Sequence, residues 1–434
     1  MKKLIAFFLI LATLLSLASC GTQPVETATL EETKTAGKNE EKKTEEKEEK
    51  EEVVYVTVEN PLSEDDIAAI PVANSSMTTD QLRQICLDFL ALQVSFPWTP
   101  KETYAYHVER QGYDVQYKEG QLYAGIPYVN VASGNVYRYL DVIDSETGIL
   151  DPTQFNLDNN YFGTACSGSA CWAIGRVVNS ANYSWTATMN KKHGFIPVGS
   201  YTYDDEINRY GEDGFPNCSD ITKSNGKAVM FEAYAQMLPA DIIVNNGHVR
   251  LNASVPNVVR NEDGTINGAK STSTWSDQGM YRNQNYQMRK QSDGTEYSIQ
   301  GGVNVTITFD ELYSGGYLPH TFKEFLGTDP VEDAQVSLDV DLGDTLSAAQ
   351  ITTSTLTANY AISDVYFNIY DSEGNFKIKN AFRAANHFTY KVEMAKAFPS
   401  GFVNIFGDGT YTLEICVQLS NGAKPVLAKG ILTK

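Results

Sequence analysis

The chain has 434 residues, with 54 Asp or Glu against 34 Lys or Arg, for a formal charge of −20. The first twenty residues contribute +2 and residues 21–52, with eleven Glu and six Lys, contribute −5, which leaves −17 on residues 53–434. A folded body that acidic is a poor partner for nucleic acid or an anionic lipid surface, since both call for a basic patch, so peptides, glycans and peptidoglycan stay open.

Lys2 and Lys3 open the chain, Leu4 to Leu15 is apolar, and Leu17-Ala18-Ser19-Cys20 follows. This is the layout of a secretion signal over residues 1–20, and small residues before a cysteine look like a bacterial lipobox. That likeness implies diacylglycerol on the Cys20 sulfur and removal of everything before it. The apolar run is short for a bilayer span, so the expected location is the outer face of the bacterial membrane, anchored by lipid. Residues 21–55 hold almost no large apolar groups and are expected to be a disordered Glu/Lys-rich tether.

The first strong helical pattern runs from Thr78 to Leu92, with Thr79 or Asp80 as cap and Leu82, Ile85, Phe89 and Leu92 on one face. Cys86 lies on or near that face and reads as a packed thiol. Tyrosine-rich short runs fill residues 100–150. Then Y-F-G-T-A-C-S-G ends on Cys166-Ser167-Gly168 and runs straight into an apolar helical pattern. A helix start lowers a thiol pKa through its free N–H groups and dipole. Phe231 to Leu238 reads as a further helix, leading into A-D-I-I-V-N-N-G-H-V-R. There an apolar strand, an Asn246-Gly247 turn and His248 at the head of a second strand are expected, 82 residues after Cys166. A cysteine at a helix start and a histidine at a strand start are the two halves of a thiol nucleophile–base pair. F-D-E-L-Y-S-G-G-Y-L-P-H then reads as a helix with a glycine stop and a buried segment after it. From Pro330 the style changes to alternating strands, Q-V-S-L-D-V-D-L, V-Y-F-N-I-Y, F-T-Y-K-V-E-M and Y-T-L-E-I-C-V-Q-L, separated by turns. These predict an all-β immunoglobulin-like sandwich over residues 330–434, with Cys416 in the core of its penultimate strand.

Cys166 and Cys171 compete for the nucleophile. Five residues on a helix is about 140° of rotation, so the two thiols cannot share one cleft. Cys171, Ile174 and Val178 form a core stripe, whereas Cys166 sits where the helix dipole acts. The third group follows from strand counting. The strand opened by His248 should turn back at Asn261-Glu262-Asp263-Gly264, which brings residue 279 opposite His248. Asp277 and Gln278 lie there, and either would orient the imidazole. Cys86, Cys166, Cys171, Cys218 and Cys416 show no metal-ligand spacing, and the five histidines lie in no H-E-x-x-H arrangement, so no metal or other cofactor is expected. An odd count of five in an exported chain also points to at least one free thiol.

Together, Cys166-Ser167-Gly168, Asp241 to Val249 and Gly125-Ile126-Pro127-Tyr128-Val129 resemble the C-S-G, G-D-(I/V)-(I/V)-x-x-x-G-H-V and G-x-P-Y-V motifs of the NlpC/P60 branch of papain-like cysteine peptidases. Ala240 stands where that family has Gly, and the gaps on either side of Cys166 are longer than usual. The resemblance implies an α+β fold with a papain-like domain over residues 78–327, and hydrolysis of amide bonds in peptidoglycan stem peptides. It further implies Cys166 as nucleophile, His248 as base, backbone N–H groups of Cys166 and Ser167 at the oxyanion, and Tyr128 lining the site. The alternative is a non-catalytic surface lipoprotein of the same fold that binds glycan or peptide through its aromatic-rich loops.

Overall fold

The computed structural model describes residues 54–108, 113–129, 134–151, 163–181, 186, 189, 194–202, 209–210, 215–279, 287–383, 388–398 and 407–433. The signal, Cys20 and all but the last residues of the tether lie outside the described residues. Helix α1 (Thr79–Ser95) is capped by Thr78, one residue before the two anticipated caps. The Thr78 hydroxyl accepts from the Gln81 N–H while the Gln81 side chain accepts from the Thr78 N–H, a reciprocal capping box. The helix buries Leu82, Ile85, Cys86, Phe89, Leu90 and Val94. It stops at Phe96 because Pro97 forces the residue before it into an extended conformation.

Six strands form the sheet that carries the site. They are β1 (Ile196–Pro197), β2 (Ile242–Val244), β3 (Val249–Asn252), β4 (Thr272–Gln278), β5 (Gly301–Thr308) and β6 (Leu318–Thr321). Their order is β5-β4-β3-β2-β6-β1, and every pairing is antiparallel. Helix α2 (Cys166–Ile174) packs against α1, β3 and β4, and all nine of its residues are buried. Alternation along β2 feeds two cores. Ile242 and Val244 join the cluster of α1 and α2, whereas Ile243 joins Met230 and Phe231 of α3 (Cys218–Ala235) and Phe309 and Leu312 of α4 (Phe309–Ser314). Apolar residues on both faces explain why D-I-I-V reads as a continuous run. His320 of β6 is wholly buried; burial pushes its imidazole down to about 4, and the Tyr201 hydroxyl lies 3.2 Å from its Nε2.

Asp241, at the head of β2, pairs with Arg83 of α1 at 2.7 Å, and both side chains are 2% exposed. The Arg83 guanidinium also donates to the carbonyls of Pro239 and Phe325. Just before it, Ala240 has φ +64°, in the left-handed region, which accounts for the glycine expected at this place. In Ala240→Gly, relief of a left-handed alanine (about 1–2 kcal/mol) opposes the added chain entropy and the lost methyl. The expected change in unfolding free energy is within about 0.5 kcal/mol, against the loss of about 1–2 kcal/mol expected of Ala→Gly at an ordinary buried position. Urea denaturation of the pair measures it.

The C-terminal strands are β7 (Val336–Leu338), β8 (Thr355–Tyr370), β9 (Phe376–Arg383), β10 (Thr389–Glu393), β11 (Thr410–Leu419) and β12 (Val426–Thr433). They make one hydrogen-bonded sheet organised by the 16-residue β8. The first part of β8 lies between β7 and β10, and its second part between β11 and β9. Register shifts near Ile362 mark the change of partners. Its apolar cluster is drawn from residues 342–432, among them Leu356, Phe367, Ile415 and Leu432.

Residues 53–434 nevertheless form one compact unit. The C-terminal part supplies hydroxyls to carbonyls at the C-cap of α2 and in the segment just after it. Ser420 Oγ donates to Gly175 O (3.0 Å), Tyr360 Oη to Val177 O (3.3 Å) and Tyr390 Oη to Asn179 O (2.8 Å). Trp172 of α2 stacks on Phe388 at 4.3 Å. The architecture is mixed α+β, rich in sheet with few long helices. No helix among the described residues is long and apolar enough to cross a membrane.

Candidate active site

Cys166 is the first residue of α2 and is 4% exposed. Ala165, its N-cap, makes no side-chain cap hydrogen bond. Ser167, the second helical residue, is 6% exposed, and the N–H groups of this first turn have no intrahelical acceptor. The segment before the helix bridges to the G-I-P-Y-V segment. Val129 N donates to Thr164 O and Thr164 N to Pro127 O, each at 2.9 Å. That pairing puts the Tyr128 hydroxyl 4.0 Å from Cys166 Sγ. Gly125 fixes the other end of the segment. It has φ +65°, and a Cβ there would lie 2.3 Å from the Val94 carbonyl oxygen.

His248 arrives on a hairpin whose turn is held by Asn245. The Asn245 carboxamide oxygen accepts from the N–H groups of Gly247 (2.9 Å) and His248 (2.7 Å), and that of Asn246 accepts from Cys218 N at the start of α3 (2.8 Å). The pairing of β3 with β4, Leu251 with Ser276 and Asn252 with Trp275, has the register obtained from the sequence count. Asp277 is the residue that meets the ring. Its Oδ2 lies 2.5 Å from His248 Nε2, and its Oδ1 accepts from Gly302 N at 3.1 Å. The register of β4 against β5 shifts at Trp275/Asp277, beside this carboxylate. With Nε2–H donated to Asp277, Nδ1 is the nitrogen left for the thiol.

Burial pushes the Cys166 thiol up, but the charge of the His248 imidazolium and its hydrogen bond outweigh that. The Val249 N–H and the Tyr128 hydroxyl add to the effect, and the thiol is held below its usual range. Burial likewise works against the His248 cation, yet the Cys166 thiolate and the Asp277 carboxylate hold its pKa well above 6.5. Both shifts favour the thiolate–imidazolium form of the pair over the neutral one. Such a thiolate is a ready nucleophile next to a group that can return a proton.

Gln278, the other residue offered for the third position, is not on the ring. Its Nε2 donates to Ile126 O and so ties β4 to the G-I-P-Y-V segment. Cys171 is 2% exposed in the core, and Cys86, Cys218 and Cys416 are also buried. No group of three or more His, Cys, Asp or Glu suited to a metal occurs among the described residues. Three contributors escaped the sequence reading. Gln93 of α1 is wholly buried; its side-chain Nε2 donates to Ser169 O and Oγ of α2 (3.2 Å each), and its backbone carbonyl accepts from Ile126 N (2.8 Å). Asn245 shapes the turn, and the Arg250 guanidinium reaches Asp277. Only Arg250 left a signal, as a cation inside the apolar strand V-R-L-N.

No family model and no curated protein matches the chain. Among solved structures, CopC from Methylosinus trichosporium OB3b overlaps 23% of this chain and 87% of its own length, at 16% identity and a TM-score of 0.13. An overlap of that kind assigns neither a fold nor an activity here.

Proposed function

We propose that residues 78–327 are a papain-like cysteine peptidase or amidase domain of NlpC/P60 type, and residues 330–434 an immunoglobulin-like β-sandwich. In this reading lipid on Cys20 and the acidic tether hold the protein at the outer face of the membrane, and its substrates are amide bonds in peptidoglycan stem peptides. The observation that carries the proposal is the meeting of Cys166, His248 and Asp277, from a helix start, a strand start and a neighbouring strand, with the thiol lowered and the imidazole raised.

The Cys166 thiolate attacks the amide carbonyl carbon, forming a C–S bond while the oxygen takes the negative charge. The free N–H groups at the start of α2, those of Cys166 and Ser167, receive that oxyanion. The C–N bond breaks as His248 gives its proton to the leaving amine. Water then loses a proton to His248 and adds to the thioester carbonyl. The carboxylic product leaves as the thiolate is restored beside the imidazolium. Asp277 keeps the ring in the tautomer and orientation that this proton traffic needs.

The test is digestion of purified peptidoglycan by the protein, by Cys166→Ala and by Cys171→Ala, with products read by mass spectrometry. New stem-peptide ends are expected with wild type and Cys171→Ala and not with Cys166→Ala. Equal silence from all three, with the protein still sedimenting with the wall, would replace this reading with that of a binding lipoprotein.

A further inference from the structure

Arg250 sits two residues beyond His248 on β3, in a slot between two aromatic rings. Its guanidinium lies 4.2 Å from the Trp275 ring centre and 4.9 Å from that of Tyr317. Its Nε is 3.4 Å from Asp277 Oδ2, the same oxygen that lies 2.5 Å from His248 Nε2. The Asp277 side chain is 0% exposed and that of Arg250 15%. One buried carboxylate oxygen thus serves the imidazole and a permanent cation together.

We propose that Arg250 is a positioning residue that sets the pH at which the His248–Asp277 pair releases its proton, through the carboxylate oxygen it shares with the imidazole. The proposal rests on the peptidase reading for its consequence. After acyl transfer His248 is neutral and must accept a proton from water, while Asp277 stays a buried anion. Arg250 is then the cation that faces this anion. A fixed positive charge beside the pair favours its deprotonated form, so the neutral base is available at lower pH than it would be without the arginine. The groups facing the pair from the packed elements are Cys166 of α2 and Tyr128 on the thiol side, and Gly302 N of β5 on the carboxylate side. Glu311 of α4 faces Arg250, which helps hold its carboxyl below the usual range behind the Thr308 cap hydrogen bonds. The planar guanidinium is suited to the slot because it stacks on aromatic faces and stays charged throughout.

The test is the titration of the His248 ring by NMR in wild type, Arg250→Gln, Arg250→Met and Arg250→Lys, with the pH profile of kcat/KM alongside. Arg250→Gln is expected to move the His248 midpoint and the alkaline limb of kcat/KM upward by about one pH unit, with KM little changed. Arg250→Met keeps an uncharged straight chain between the rings, so a misfolded Gln variant would not end the test. It should move both by the same amount. Arg250→Lys keeps the charge and should stay within about 0.3 unit of wild type. Coincident midpoints in all four proteins would overturn the proposal. A lysine variant displaced as far as glutamine would also do so, leaving packing between Trp275 and Tyr317 as the whole role. The ring titration needs no substrate, so an absence of hydrolysis would count against the peptidase reading alone.

Discussion

His248→Ala is expected to slow alkylation of Cys166 by iodoacetamide at pH 6 by about tenfold or more. An ordinary thiol with a pKa near 8.5 is about 0.3% thiolate at that pH, whereas an ion-paired thiol is almost wholly thiolate. The roughly 300-fold gain in thiolate is largely offset by the lower nucleophilicity of a low-pKa sulfur, which leaves about tenfold. Removing the imidazole removes the largest influence lowering the Cys166 thiol, and burial, which pushes the thiol up, is then opposed only by the Val249 N–H and the Tyr128 hydroxyl. Hydrolysis should fall about a thousandfold or more, to the level of Cys166→Ala, because nucleophile and base act as a unit. The sign in pH is fixed by the two shifts. The thiol lies below its ordinary value and the imidazole above 6.5, so reactivity appears at lower pH than for a free cysteine and is lost from the low-pH side in the variant. Mass-spectrometric rate measurements on the Cys166 peptide decide it. An unchanged rate in His248→Ala would mean that the ring does not ionise the thiol.

Arg83→Met is expected to cost about 3–5 kcal/mol of unfolding free energy, far more than a surface ion pair is worth. Arg83 and Asp241 are each 2% exposed, and losing the cation leaves the carboxylate in the interior, with a hydrogen bond from Leu238 N at 2.7 Å and the Thr321 hydroxyl as its remaining partners. The guanidinium also leaves its stack on Phe325 at 4.8 Å. Replacing both partners, as Arg83→Met with Asp241→Leu, should recover part of the loss, since no orphaned charge remains, while the Pro239 and Phe325 carbonyls and the Leu238 N–H still lose a partner. Urea denaturation of wild type, the single and the double variant measures both expectations. A loss below about 1 kcal/mol in Arg83→Met would show that Asp241 is hydrated or neutral in the fold. The pair matters to the site because Asp241 heads β2, and β2 holds the strand that follows His248.

The candidate site was legible where chemistry needs rare residues at fixed local places. Cysteine at a helix start and N-G-H at a turn were readable from local residues, and the count from Asp263-Gly264 lands on the register of β3 with β4 although the bridges between, Asn257 with Thr272 and Arg260 with Ile266, are out of step with it. The count alone left Asp277 and Gln278 open. Pleat alternation separates them: in the register of β3 with β4, Asp277 falls opposite Arg250, on the face of His248, and Gln278 opposite Val249, on the other. Thr78 was passed over as the cap because Thr79 and Asp80 are equally good cap residues by type, and only the reciprocal bond with Gln81 settles it. Asp241 belongs to the histidine motif by sequence, yet its side chain serves the core through Arg83, 158 positions away in the chain. In the C-terminal part the run V-Y-F-N-I-Y is the second half of β8. The first half, T-L-T-A-N-Y-A, was not recognised because its burial does not alternate, being clasped by β7 and β10. β9 carries Lys377 and Lys379 and reads as polar from sequence alone, and β12 is interrupted by Lys429-Gly430. The hydroxyls that Ser420, Tyr360 and Tyr390 offer to the end of α2 had no sequence signal at all, since each depends on where two distant segments meet.

The most direct measurement on the central claim is a map of cysteine reactivity in the native protein. A short exposure to substoichiometric iodoacetamide at pH 6 would be followed by proteolysis and peptide mass spectrometry over Cys86, Cys166, Cys171, Cys218 and Cys416. Label on Cys166 alone is the result the ion pair predicts, because His248 holds that thiol down whereas burial pushes those of Cys86 and Cys416 up. Label spread evenly over the five, or reaching Cys171 before Cys166, would contradict it.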